Sequence, residues 1–171
     1  VLTPVFYVFL DGTQTIYAAA VLDSDLNSNG IADSAEAEVV VTASKSLLAG
    51  EYNFNNLTIV NNATLTLEGD QLSLDSFKGV RINATNITVT SGSRISADGK
   101  GYASGPGLPH SGANAGASYG GLGGGNISTS TYGSSMAPID LGSGSKNSFR
   151  GGGAIRLVVT DTLLNNGNIS A

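Results

Sequence analysis

The sequence predicts an all-β fold: a right-handed parallel β-helix with a long Gly-rich loop and a short N-terminal β segment, with a β-sandwich as the alternative. Three observations carry this. The chain repeats itself in short copies of alternating apolar and polar residues. It lacks helical periodicity. Charged residues make up 12% of its 171 residues, so Ser, Thr, Asn and backbone must supply the polar surface.

The repeat is read by laying the chain on itself. Residues 56–67 (NLTIVNNATLTL) align without gaps on 86–97 (NITVTSGSRISA), pairing Leu57 with Ile87, Ile59 with Val89, Leu65 with Ile95 and Leu67 with Ala97. Asn62 faces Gly92 at the turn, and both residue types tolerate left-handed backbone. Ile155–Leu157 matches Val80–Ile82, and residues 166–171 match 91–97 with one deletion. Period-two alternation of β-branched residues means strands with one face inward. Such short strands cannot bury that face alone, so stacked copies are expected to share one core.

Residues 49–171 form the predicted repeat region, interrupted by 98–153, which holds 17 of the 24 glycines. Tyr102, Leu108, Tyr119, Leu122, Tyr132, Met136, Ile139, Leu141 and Phe149 are spaced through that insertion like anchors. They predict a loop packed on the flank of the repeat, with glycines allowing close backbone approach. Ahead of it, residues 1–48 form the N-terminal part. Val5–Leu10 and Thr15–Val21 read as strands around Asp11-Gly12, an acidic loop follows, and Glu38–Leu48 reads as a strand or a short helix.

Charge is unevenly placed. Residues 1–51 carry seven acids against Lys45, a net of −6, and residues 52–171 are nearly neutral. That concentration points to a cation site in the first third and away from a nucleic-acid surface, which needs a basic stripe. Zero cysteines exclude disulfides, thiolate zinc sites and a cysteine nucleophile. No membrane span is expected, because the longest apolar stretch, Val1–Leu10, is half the length a spanning helix needs. It also lacks a basic flank, and the missing initiator Met suggests a processed chain or a piece of a longer one.

The acidic loop runs from Asp23 to Glu36. With Asp25 as position 1, Asn27 falls at 3, Asn29 at 5, Gly30 at 6, Ile31 at 7, Asp33 at 9 and Glu36 at 12. Calcium takes six to eight hard oxygens, and alternate side chains of a tight loop can converge on one ion. The predicted Ca2+ ligands are Asp25, Asn27, Asn29, the Ile31 carbonyl, Asp33 and Glu36, with Asp23 as a further ligand in another register. The loop resembles the EF-hand loop and is similar to the Asp/Asn-rich calcium repeats of thrombospondin type 3 and dockerin modules. It departs from them in its amides at positions 3 and 5, which lower affinity, and in lacking clear flanking helices.

No catalytic residue is expected. His110 lies in the Gly/Pro-rich loop without an acid nearby, no Gly-x-Ser-x-Gly elbow is present, and Asp70, Asp75, Asp98, Asp140 and Asp161 are scattered at turn-like positions. Gly121–Gly125 lacks the Lys-Ser/Thr ending of a phosphate loop. Six Asn-x-Ser/Thr sequons, at Asn56, Asn62, Asn83, Asn86, Asn126 and Asn168, permit glycosylation in a cell that performs it.

From residue 50 onward the strand copies, the Ile-Ser-Ala-Asp-Gly stop and the return through Gly-Gly-Gly-Ala-Ile-Arg-Leu resemble β-helical regions of microbial surface proteins and adhesins. The resemblance implies a secreted, repetitive, non-catalytic part of a surface fibre or adhesin. With the calcium loop and an uncapped end of the stack, the expectation is a calcium-stabilised structural protein at the cell surface, part of a longer repeat protein or self-associating into filaments or surface assemblies. The competing readings are a polysaccharide-degrading module and a glycan-binding one, the latter with Tyr102, Tyr119 and Tyr132 stacking on sugar rings.

Overall fold

The computed structural model describes residues 24–72, 77–103, 117–123, 131–136, 138–144 and 149–171. Val5–Leu10, Thr15–Val21, Asp23, Asp75, Leu108, His110 and Asn126 lie outside the described residues.

Among the described residues the chain is all-β, with one 3-10 turn, Asp33–Ala35, and eight strands. These are β1 (Val39–Val41), β2 (Lys45–Leu47), β3 (Gly50–Ile59), β4 (Thr64–Leu67), β5 (Val80–Val89), β6 (Arg94–Ser96), β7 (Ile155–Asn165) and β8 (Asn168–Ser170). Odd-numbered strands form one four-stranded sheet, β1-β3-β5-β7, and even-numbered strands a second, β2-β4-β6-β8. All six pairings are parallel. Each copy of the repeat gives one strand to each sheet across a short polar turn.

The expected right-handed parallel β-helix does not stand as written, and neither does the β-sandwich alternative. The strands are short, and the two parallel sheets are open, with free edges, rather than closed on each other. The turns inside a copy are brief, whereas the connections from β4 to β5 (68–79) and from β6 to β7 (97–154) are much longer.

The self-alignment becomes the strand register. Asn56 pairs with Asn86, Leu57 with Ile87, Ile59 with Val89 and Leu65 with Ile95, and the last copy stacks Ile155 on Val80, Leu157 on Ile82 and Ile169 on Ile95. Val39–Leu47 adds a further copy, with Val39 on Leu57 and Lys45 on Leu65. Inward residues therefore form columns of like side chains. Leu57, Ile59, Leu65, Ile82, Ile87, Val89 and Ile95 are fully buried in one continuous core. Where size departs from the column, it does so in compensation, with Phe54 beside Ala84.

Outward residues form polar ladders. The Asn83 amide donates to Asn53 Oδ1 at 2.8 Å and the Asn86 amide to Asn56 Oδ1 at 2.8 Å. Three of the sequon asparagines, Asn56, Asn83 and Asn86, thus have their side chains engaged along the sheet. The turns behave as the alignment implied: Asn61, Asn62 and Gly92 all have φ between 58° and 80°. Gly92's φ of 80° favours glycine there, and an added Cβ would meet Asn62 Oδ1 at 1.9 Å and oblige that side chain to turn away.

Described parts of the Gly-rich insertion pack beside the stack through backbone pairing. Gly101 N–H donates to Gly151 O, Tyr102 N–H to Gly142 O, and Gly142 N–H to Gly152 O, all within 2.9 Å. Tyr102, Leu141 and Ala154 form a small second core there. Leu122, Met136 and Phe149, expected as anchors, are instead largely exposed, Met136 at 93%.

Ile82→Ala, in a column closed on both sides, is expected to cost about 2–5 kcal/mol in urea unfolding. Leu157→Ala, at the uncovered end of the same column, is expected to cost less than half as much.

Candidate metal centre

The acidic loop closes one end of the stack. Leu26 enters the main core and Asp33 is 1% exposed. Asp33 accepts the Ser24 hydroxyl and, at 3.0 and 3.1 Å, the Leu26 N–H, while its own N–H donates to Ser24 O at 2.7 Å. A buried carboxylate keeps its place only with such donors. Burial pushes the Asp33 carboxyl above its ordinary pKa, with Glu36 and Asp25 adding in the same direction and the Ser24 and Leu26 donors opposing. Leaving the loop, Glu36 O accepts the Asn55 amide at 2.5 Å and Ala37 O accepts the Asn56 amide at 2.8 Å, which ties it to β3.

The exposed part of the loop turns around Asp25. Its carboxylate accepts the N–H groups of Asn29 and Gly30, both at 3.0 Å, and the turn they form needs left-handed backbone at Ser28 (φ 60°) and Gly30 (φ 85°). Asn27 Oδ1 accepts Asn29 N–H at 3.2 Å, and Asn29 Oδ1 accepts Ile31 N–H at 2.8 Å. Both amide Nδ2 groups then donate to one carboxylate: Asn27 to both Glu36 oxygens at 3.1 Å, and Asn29 to Oε1 at 2.6 Å. Lys45 on β2 reaches the loop through Ser28 Oγ at 2.8 Å.

The structure therefore divides the predicted ligands. Asn27, Asn29 and Glu36 meet, Asp25 braces the turn beside them, and Ile31 follows in the same turn. Asp33 is committed to Ser24 and Leu26, and Asp23 lies outside the described residues. Among the described residues no three Asp, Glu or His side chains form a metal-holding group. The donor set is two carboxylates, two amides and a backbone carbonyl, all hard oxygens of the kind Ca2+ takes. The amide hydrogens stand in front of Glu36 where a cation's charge would lie. Their Oδ1 atoms are held by the Asn29 and Ile31 N–H groups, so turning either amide to present oxygen to an ion at Glu36 would exchange that hydrogen bond for the ion contact.

Other expected chemistry is dispersed. Asp70 accepts Leu72 N–H, Asp98 accepts the Ser96 and Ser170 hydroxyls, and Asp140 belongs to a separate cluster. A cleft of about 670 Å³ is lined by Glu68, Gln71, Leu72, Lys100 and Arg150 with two glycines. Among the described residues that line it, Glu68 is bound to Lys100 at 2.7 Å. The tyrosines pack on each other, Tyr119 on Tyr132 at 5.0 Å and Tyr102 on Tyr132 at 6.3 Å, both edge to face. Tyr102 belongs to a small buried cluster with Leu141 and Ala154, and Tyr132 packs partly buried against it.

One cluster was invisible in the sequence. Lys78 Nζ donates to the Tyr102 hydroxyl at 2.7 Å, which donates to Asp140 at 2.9 Å. The Tyr102 contact holds the Lys78 ammonium above its ordinary pKa, and burial with nearby Asp140 raises the Tyr132 hydroxyl. These groups are too far apart in the chain for any spacing to mark them. They pin the Gly-rich insertion to the start of β5.

Asp33→Ala is expected to cost about 1–3 kcal/mol by denaturant unfolding, because the Leu26 N–H and the Ser24 hydroxyl lose their acceptor. Among the described residues no helix is long and apolar enough to cross a membrane. Comparisons with protein-family models, with curated proteins and with solved structures each returned no match.

Proposed function

We propose that this chain is a structural module of an extracellular surface protein, and that Ca2+ taken up by its acidic loop locks the cap onto the strand stack. The observation that carries the reading is the convergence of the Asn27 and Asn29 amides on Glu36. This happens in a loop whose other residues, Leu26 and Asp33, are buried against the stack.

Asp25, Asn27, Asn29, Glu36 and the Ile31 carbonyl would hold the ion. Its contribution is charge and cross-linking: it would offset the charges of Asp25 and Glu36 and tie both arms of the loop together. Two amides where stronger sites carry carboxylates place the loop in the weak class, with dissociation constants on the order of 10⁻⁴–10⁻³ M. Such a site fills where calcium is millimolar, outside cells.

Calcium at about ten times its dissociation constant should add about 1.4 kcal/mol, by mass action on the folded state. For a chain of this size that is a rise of about 3–6 °C in melting temperature relative to chelator. Glu36→Gln should abolish the rise, and Asn29→Asp should reach it at lower calcium. A wild-type melting curve indifferent to calcium would reject the metal reading.

A further inference from the structure

The two ends of the stack are finished differently. At the first, Val39 and Val41 of β1 and Leu47 of β2 are buried as deeply as residues in the middle. At the last, the same inward columns are uncovered. Ile155, Leu157 and Val159 of β7 and Ile169 of β8 are half-buried, and Leu163, which stacks on the fully buried Ile87, is 45% exposed. Both strands are sheet edges, so each also presents one unpaired side of its backbone.

A charge column ends at the same place. Glu51, Arg81 and Arg156 follow one another in register across β3, β5 and β7. Arg81 Nη1 pairs with Glu51 at 3.1 Å. Arg156 is exposed, stands beside the like charge of Arg81, and has no ion pair among the described residues. Like charges in register across neighbouring strands are unfavourable, and an acid on the far side would relieve this pair.

We infer that the β7–β8 face is a docking surface for a further pair of parallel strands carrying an acidic side chain in register with Arg156 and apolar residues over Ile155, Leu157, Val159 and Leu163. The occupant is thus an extended segment of alternating apolar residues with an Asp or Glu at one outward position. Its backbone satisfies the edge, its apolar face completes the core, and its acid sets the register, since a slip by one residue would turn its apolar face outward. The first end of a second copy fits less well, because its columns are already covered.

The inference is independent of the calcium reading, and its test is run in chelator. The probe is a synthetic peptide of residues 50–67, which carries Glu51 in the required column and Tyr52, Phe54, Leu57 and Ile59 for the apolar face. Titrated into the whole chain, it should slow hydrogen exchange at the outward amides of β7 and β8. A Glu51→Lys peptide should bind more weakly by about fivefold, the upper range for a cross-strand charge pair. Arg156→Glu in the chain should reverse that preference. Absence of protection at β7 and β8, or binding indifferent to both reversals, would overturn the inference. A dimer in sedimentation that excludes the peptide would overturn it in favour of a second copy.

Discussion

Everything in this molecule hangs on the in-register parallel stacking of one repeat on the next. A parallel pairing places each residue beside its counterpart, so an alternation that buries one face of a single strand builds uninterrupted columns once repeated. From β1 to β5 the Val39–Leu57–Ile87 and Val41–Ile59–Val89 columns are fully buried, although each strand alone could cover almost nothing. The same register brings Asn53 to Asn83, Asn56 to Asn86 and Glu51 to Arg81. Packing and polar ladders are two products of one constraint.

The acidic loop answers a problem that stacking creates. A stack has ends, and β1, three residues long, is too short to cover the ten-residue β3 beside it. Leu26 and the buried Asp33 contribute to that end, while Asn55 and Asn56 hold the loop's exit. The charge that marked the loop in the sequence thus belongs to a cap, and an ion there would act on stability through the covered end of the core.

Much of this was legible because a repeat is a local signal with long-range meaning. The gapless match of residues 56–67 to 86–97 named the neighbours across two sheets. Glu38–Leu48 read as a strand or a short helix rather than as a copy, because it shares no Asn-Thr signature with the others. That the two sheets are not closed on each other could not be read, since alternation and register fix the neighbours within a sheet and not the relation between sheets. In the loop, spacing located Asn27, Asn29 and Glu36 together. It could not reveal that Asp33 would be withdrawn into the core, because that follows from the Ser24 and Leu26 donors facing it. The Lys78–Tyr102–Asp140 cluster left no mark in spacing, since an excursion of the chain assembles it.

That excursion has a bearing on how such a chain can change. Closing a loop costs entropy that grows only with the logarithm of its length. Replacing a connection as short as residues 68–79 by one as long as 97–154 adds about 1–2 kcal/mol, a small fraction of what the buried columns contribute. The stack can therefore carry large, compositionally free segments on its flank while its register stays fixed. Variation in this protein is cheapest between copies and most costly within them.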